Sequence, residues 1–330
     1  MSRLLKDNGG FALILTILII SVIVTLSLEL NSSTRTDLQS AANFRESVRL
    51  GCIVRSGFNI AAAILIEDNE NNEEVDSLRE DWADSDDISS RSASMFEQGR
   101  FELSITDLSG KIQINSLVDE DGDIDENHKK FLETFLGLKE FGLDPEKRES
   151  IVDAVTDWMD EDDEVTGFRG AENPYYQALP RPYSCRNGRL NSIEELLLIR
   201  GITKEIFYGT EKKKGISEYL TVYGNDGKIN INTADPVVLT ALAGYISESE
   251  DMAKDWIAYR EKESSDLSEF NKYPGLLQFD DYDLLCTTSS YFEIESKGFI
   301  DTMSKELRCI VKRDDDGVEI LSWKSILPLI

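Results

Sequence analysis

The chain has 330 residues, 41% of them hydrophobic, with 63 acidic against 35 basic side chains and a formal net charge of −28. That length and apolar share suffice for one large core or two modest ones, so the composition is that of a folded protein with an acidic outer surface. Such a field repels nucleic acid and anionic headgroups and favours cationic partners or divalent metal, while a single histidine, His128, leaves Ser-His-Asp or Cys-His catalysis with one candidate base and no neighbouring motif.

Gly9, Gly10 and Phe11 open an apolar run that reaches Leu28, about 18 residues without a charge, near the lower limit for a bilayer-spanning helix. Arg3 and Lys6 stand ahead of it, and the positive-inside rule keeps them cytoplasmic, so everything beyond Glu29 is carried across the membrane. A secretory signal peptide has its small-residue cleavage site after the apolar run. Leu26-Ser27-Leu28-Glu29 is a poor site of that kind, whereas two glycines and a phenylalanine precede the run. This arrangement resembles the leader of type IV pilins and type II secretion pseudopilins. The resemblance implies that a prepilin peptidase cuts after Gly10 and methylates Phe11 as the new N-terminus. Most such proteins carry Glu at the fifth mature position; here it is Leu15. Among pseudopilins that absence is characteristic of the K component, the minor subunit placed at the tip. A carboxylate in lipid needs a cation such as the amine of the subunit ahead, and a subunit with none ahead has no use for one. The plain alternative is a signal anchor on an unrelated periplasmic protein.

No proline interrupts residues 31–66, and Phe44, Val48, Cys52, Ser56, Ile60 and Ile64 recur every four residues. This predicts an amphipathic continuation of the helix, to a total of roughly 80 Å. Residues 67–94 turn polar and acidic and read as a loop or short solvated helix. Arg100 to Ile105 alternates, Asp107-Leu108-Ser109-Gly110 supplies turn residues, and Lys111 to Ile114 follows, which predicts a β-hairpin. Gly110-Lys111-Ile112-Gln113-Ile114-Asn115-Ser116 is echoed by Gly227-Lys228-Ile229-Asn230-Ile231-Asn232-Thr233. The echo reads as two strands of one sheet bracketing an insertion.

The insertion is helical: His128 to Leu138 has helical spacing, Asp144-Pro145 caps a helix with Ile151, Val152, Val155, Trp158 and Met159 on one face, and Ser192 to Glu195 is a capping box closed by Gly201. Inside it Asp157-Trp158-Met159 runs into five consecutive carboxylates, Asp160 to Glu164, followed by Gly170-Ala171-Glu172-Asn173 and Tyr175-Tyr176. Close carboxylates repel by on the order of a kcal/mol per pair unless solvated or neutralised. Ca²⁺, which takes oxygen ligands in irregular loops, and a solvated acidic loop are both open. The run from Asp119 to Asp125 begins like an EF-hand loop, lacks Glu at the twelfth position, and reads as a solvated turn.

The order of these segments, DWxDxD, then GAE and a Tyr pair, then a helix ending in Arg200-Gly201, then a strand with Asn232-Thr233-Ala234, resembles the minor pseudopilin K of the general secretion pathway. In that family the helical domain binds Ca²⁺; the resemblance implies Asp157, Asp160, Asp162, Glu172 and Asn173 as ligands, with structural Ca²⁺ as cofactor. A competing signal sits in residues 230–260, which resemble a helix-hairpin-helix module with a turn at Gly244 to Ser247. That turn lacks paired glycines and is followed by Glu248, Glu250 and Asp251, so an anion would meet anions, and the hairpin reads as architecture rather than a nucleic-acid site.

Residues 291–299, 307–312 and 319–327 alternate as a closing antiparallel meander, with a turn at Asp314 to Gly317. Cys52, Cys185, Cys286 and Cys309 show no CxxC spacing; a Cys286–Cys309 disulfide and four buried free thiols are both open. The chain is thus expected to be α+β, a pilin-like fold with a long helix on an antiparallel sheet and a large helical insertion. Its expected divisions are leader 1–10, membrane helix 11–28, periplasmic helix 29–66, first sheet part 67–118, insertion 119–226, and hairpin with return to the sheet 227–330. The function implied is that of a type II secretion minor pseudopilin, not an enzyme, in the bacterial inner membrane with a periplasmic C-terminal domain. Its partners would be the other minor pseudopilins and the prepilin peptidase, without nucleic acid. A type IV pilus minor pilin, a signal-anchored periplasmic Ca²⁺-binding protein or carboxylate-using hydrolase, and a DNA-uptake receptor are the alternatives.

Overall fold

The computed structural model describes residues 8–71, 75–119, 122–247, 249, 251–262, 264–276 and 284–326. Helix α1 (Asn8–Asn71) is one element of 64 residues, about 96 Å long at 1.5 Å per residue. From Gly10 to Arg45 every side chain is exposed; from Leu50 onward one face is covered by Leu50, Ile53, Val54, Phe58, Ala61 and Leu65. The helix passes the expected end at Ile66 because no Gly or Pro interrupts it before Asn71, whose side-chain amide donates to the Glu67 carbonyl at 2.8 Å. The every-fourth-residue row is not the buried face: Phe44 is 72% and Val48 51% exposed. A step of four residues turns about 400°, so such a row drifts about 40° per step around the helix, and the face that packs follows mixed steps of three and four.

After α1 the chain buries Asp76 and Trp82, forms α2 (Asp86–Arg91) against the sheet, and enters β1 (Arg100–Asp107), whose side chains alternate between solvent and core. Trp82 stacks edge-on against Phe292 at 5.4 Å, so the segment read as solvated closes one end of the core.

The chain then leaves the sheet for a lobe spanning residues 108–290. It contains β2 (Ile112–Gln113), α3 (Glu126–Leu136), α4 (Pro145–Met159), α5 (Asn173–Gln177), α6 (Lys204–Tyr208), β3 (Gly209–Thr210), β4 (Lys213–Lys214), β5 (Leu220–Thr221), β6 (Ile229–Asn230), α7 (Pro236–Ser247), α8 (Met252–Glu261) and β7 (Leu285–Cys286). Asp144 caps α4 as its sequence predicts, and Asp125, the last residue of the acidic turn, caps α3. Residues 193–198 form a 3₁₀ helix rather than an α-helix, with Ser192 at its N-cap. The lobe is helical in its bulk and adds three two-stranded ladders, β2 with β5, β3 with β4, and β6 with β7.

Finally β8 (Tyr291–Ile300), β9 (Met303–Asp314) and β10 (Gly317–Ile326) complete a four-stranded antiparallel sheet in the order β1-β8-β9-β10. Strands β1 and β8 are neighbours, so everything between them is inserted, on both sides of the expected 119–226. The hairpin α7–α8 belongs to the lobe because it shares a core with α3: Phe131 meets Tyr245 edge-on at 5.7 Å. Its turn lies beyond Ser247, since α7 continues through Gly244; Glu248 and Glu250 lie outside the described residues.

The echoed segments do not join one sheet. Strand β2 pairs with β5, and β6 with β7, yet the two copies touch: the Gln113 side-chain amide donates to the Lys228 carbonyl at 2.9 Å. The cause is Asp107, whose buried carboxylate accepts from Ser109 N at 2.7 Å, Ser289 Oγ at 2.6 Å and Thr233 Oγ1. This pulls the chain out of the sheet at the end of β1. A Cβ on Gly110 would come within 2.7 Å of Thr233 Oγ1, so the crossing requires glycine. Burial pushes the Asp107 carboxyl up to about 6. The Asn-Ile-Asn-Thr-Ala segment therefore ties lobe to sheet, and Arg260 of the hairpin donates to the Ala234 carbonyl at 2.6 Å. All four cysteines are free; Cys309 is buried between sheet and α1, while Cys286 lies in the lobe on β7.

Candidate metal centre

The last turn of α4 carries Asp157 inward with Val155 and Trp158, and Asp157 has no exposed surface. The helix ends at Met159, where Asp160 takes an extended conformation and turns its carboxylate back toward the helix end. The loop that follows folds over Asp157: Thr166 N donates to Asp157 Oδ1 at 2.8 Å, and a Cβ on Gly170 would lie 2.0 Å from Asp157 Oδ2. Only glycine lets the loop close there. Glu172 stands just ahead of α5, and it is anchored from behind. Tyr176 is buried against Trp158 at 5.0 Å, its hydroxyl accepts from Arg200 N at 3.3 Å, and Arg200 lies 4.8 Å over Tyr175 while donating to the Gly170 carbonyl. The Tyr pair and Arg200-Gly201 thus act as a scaffold for the loop.

One oxygen from each of Asp157, Asp160 and Glu172 lies within 4.8 Å of the others, and all three residues are buried. Asp157 Oδ2, Asp160 Oδ1 and both Glu172 oxygens have no hydrogen-bond partner. Among the described residues no cationic side chain forms an ion pair with them; Lys129 pairs with Asp153 instead, at 3.7 Å. Burial, followed by the neighbouring carboxylates, pushes Asp160 and Glu172 up to about 7, and burial raises Asp157. Like charges about 5 Å apart repel by roughly 3 kcal/mol per pair at an effective dielectric near 20, so the cluster is complete only with protons or a cation. The donors are all oxygen, which suits a hard cation. Two oxygens on opposite sides of an ion at about 2.4 Å would be about 4.8 Å apart, the scale set by Ca²⁺.

Three of the five sequence-expected ligands therefore meet. Asp162 does not: it is exposed and its Oδ1 accepts from Glu164 N at 2.7 Å. Asn173 does not either, because its carbonyl oxygen accepts from Cys185 N at 2.8 Å and its amide donates to Asp163. Sequence reasoning missed Asn187, whose Oδ1 is buried without a partner while its amide donates to the Asp162 carbonyl at 2.8 Å. The Asn187-Gly188 dipeptide signals a turn, and Asn187 has φ +47°, but nothing local brings that turn to residues 160–163. The Asp119 to Asp125 run, whose Glu120 and Asp121 lie outside the described residues, is a turn in which Asp119 accepts from Asp123 N at 2.9 Å.

A second trio, Asp68, Asp76 and Glu80, is equally close-set. It holds its own cation: Arg313 is 2.8 Å from Asp68 and also binds Asp76. Gly10 and Phe11, the expected processing residues, lie in the exposed first turns of α1.

Residues 110–212 match the family model described as type II secretion system (T2SS), protein K. The type II secretion system protein K of Aeromonas hydrophila is 25% identical over 238 residues, 70% of this chain and 69% of that one. Its namesake from Pseudomonas aeruginosa is 27% identical over 247 residues, covering 72% and 68%. Among solved structures, the chain is similar to one in the crystal structure of the GspK-GspI-GspJ complex from the enterotoxigenic Escherichia coli type 2 secretion system. The TM-score is 0.68 at 17% identity, over 87% of this chain and 99% of the other. At that identity the likeness is one of fold.

Proposed function

The chain belongs to the protein K family of type II secretion, and from that premise we propose that it caps the tip of the periplasmic pseudopilus. It is a minor pseudopilin, anchored by one N-terminal helix with its C-terminal domain in the periplasm. The observation that carries the tip reading is the lobe of residues 108–290 set between adjacent strands of a pilin-like sheet. Subunits of a helical filament stack by their helices, and a lobe of that size beside the sheet obstructs the subunit that would follow. Leu15 in place of a lipid-buried carboxylate agrees with a subunit that has no amine ahead of it. Partners in this reading are other minor pseudopilins, which bury the exposed half of α1.

The reading includes cleavage after Gly10 by a prepilin peptidase and a structural Ca²⁺ held by Asp157, Asp160 and Glu172. The ion would supply the positive charge that four partnerless oxygens lack. Its role is to fix the loop of residues 160–172 against α4, as a structural element of a non-catalytic subunit. Intact mass and N-terminal sequencing with and without a co-expressed peptidase test the processing; a chain left uncut, or cut beyond Leu28, would overturn it. Titration calorimetry with CaCl₂ tests the ion, and equal binding by wild type and Asp157→Asn would overturn the site.

A further inference from the structure

On the face of the sheet turned away from α1, the lobe overhangs the strands and leaves a cleft of about 350 Å³, the size of a ligand site. Its floor is Glu293 of β8, Arg308 and Ile310 of β9 and Lys324 of β10. Glu293 and Arg308 alternate along their strands with Phe292, Ile294, Leu307 and Cys309, which pack under α1. Two of its walls are runs of consecutive lobe residues, 191–194 and 220–223, so the space is long rather than round. Tyr208 of α6 stands at its side, 60% exposed.

The charges in this cleft do not cancel. Arg308 is satisfied within the sheet, 3.3 Å from Glu293 and 3.1 Å from both Glu295 and Glu306. Glu194 accepts from Ser192 Oγ. Lys111, brought in just after the crossing at Gly110, is left over: it is half-buried, and among the described residues its ammonium has neither an ion pair nor a hydrogen bond. Burial pushes that ammonium below its usual range, and the carboxylate that draws it back most, Glu293, is engaged by Arg308. Lys324 on the floor also forms no ion pair among the described residues. An amine drawn under cover without a counter-ion costs stability, and this one stands in a chain with 63 acidic side chains.

We propose that the cleft binds an extended peptide segment through one side-chain carboxylate, which becomes the counter-ion of Lys111, with an adjacent apolar side chain lying against Tyr208. The elongated walls suit a chain passing through, and the uncompensated ammonium selects an anion. Leu108, Ile193, Leu220 and Ile310 supply an apolar lining that favours a peptide over a hydrated inorganic ion. The site is a property of this chain alone, so it stands or falls apart from the pseudopilin reading.

The test is fluorescence polarisation of the full-length chain with three tetrapeptides that carry an uncharged dye at the N-terminus: Gly-Phe-Glu-Phe amide, Gly-Phe-Gln-Phe amide, and Gly-Phe-Gln-Phe with a free C-terminal carboxylate. The Glu peptide should bind about tenfold more tightly than the Gln amide, and high salt should narrow that gap. Lys111→Gln should bring the two amides to within about twofold of each other, and Lys111→Arg should restore the preference. Tyr208→Ala should weaken both. Lys111→Gln should melt no lower than wild type, which separates lost binding from lost folding. Equal binding of the two amides by wild type would overturn the site, as would a preference that survives Lys111→Gln. Tighter binding of the free-acid peptide than of the Glu peptide would overturn the internal carboxylate in favour of a chain terminus. Displacement of the Glu peptide by sodium sulfate, at an ionic strength where NaCl leaves it bound, would reduce the cleft to an anion subsite and overturn the peptide.

Discussion

Two trios of carboxylates lie in this molecule, and they differ in where their positive charge comes from. In the first, Asp68 and Asp76 hold Arg313, which is 3% exposed, and Glu80 beside them accepts from Trp82 Nε1 at 2.7 Å. For Asp76 burial raises the carboxyl and Arg313 draws it back down. Asp157, Asp160 and Glu172 have no such partner, and burial and mutual repulsion act in the same direction on Asp160 and Glu172. An acidic cluster is thus a candidate ion site where the chain withholds its own cation, and a structural clasp where it supplies one.

The largest effect expected from breaking that contrast is at Arg313. Arg313→Met leaves Asp76 buried without a counter-ion and should cost about 3–5 kcal/mol, read by urea unfolding; a loss below about 1 kcal/mol would mean the first trio is not held by its arginine. Next, chelation should destabilise only the second trio's lobe. With Ca²⁺ at a hundred times its dissociation constant, EGTA should remove about 2.7 kcal/mol of stability, and Asp157→Asn/Glu172→Gln should abolish that response. A smaller effect is expected from pH in the cation-free chain. Asp160 and Glu172 are pushed up to about 7 in the fold, well above the ordinary carboxylate range they have in the unfolded chain, so the fold binds more protons. Stability should therefore rise by roughly 2 kcal/mol as pH falls from 7.5 to about 6, and be lost as pH rises through 7. Added Ca²⁺ should flatten or reverse this trend, because protons then compete with the ion. Melting curves at the two pH values, with EGTA and with CaCl₂, check the sign. The smallest effect is at Asp162: Asp162→Asn should change calcium affinity by no more than about threefold, since that carboxylate caps Glu164 N rather than facing the cluster.

Local rules made the long helix, the closing meander and the capped helices legible, because each is set by spacing and by caps within a few residues. Asp157 was legible only through the family resemblance; that it turns inward with the apolar face of α4 is a finding of the structure. What the sequence hid is set by distant contacts. The exit from the sheet at Asp107 depends on Thr233 and Ser289, and the lobe's boundary depends on β1 meeting β8. Asn173 was misassigned because its partner, Cys185 N, lies twelve residues on, across an intervening loop. Asp160 and Asp162 could be told apart only once α4 was known to end at Met159.

The adjacency of β1 and β8 also has a mechanical side. The polypeptide enters the lobe after Asp107 and leaves it at Ser290, and the two ends are bound side by side through Asp107 and Ser289. A pull on the lobe therefore draws both strands the same way and places no relative force on the rungs between them. The resisting surfaces are the ladder from β8 to β9 and the seam with α1, both loaded lengthwise, where many bonds must yield together. A thrust delivered along α1 reaches the lobe through those same surfaces. The lobe is thus mounted like a tool on a shaft, with push and pull carried by the β8–β9 ladder and the α1 seam rather than by the β1–β8 rungs.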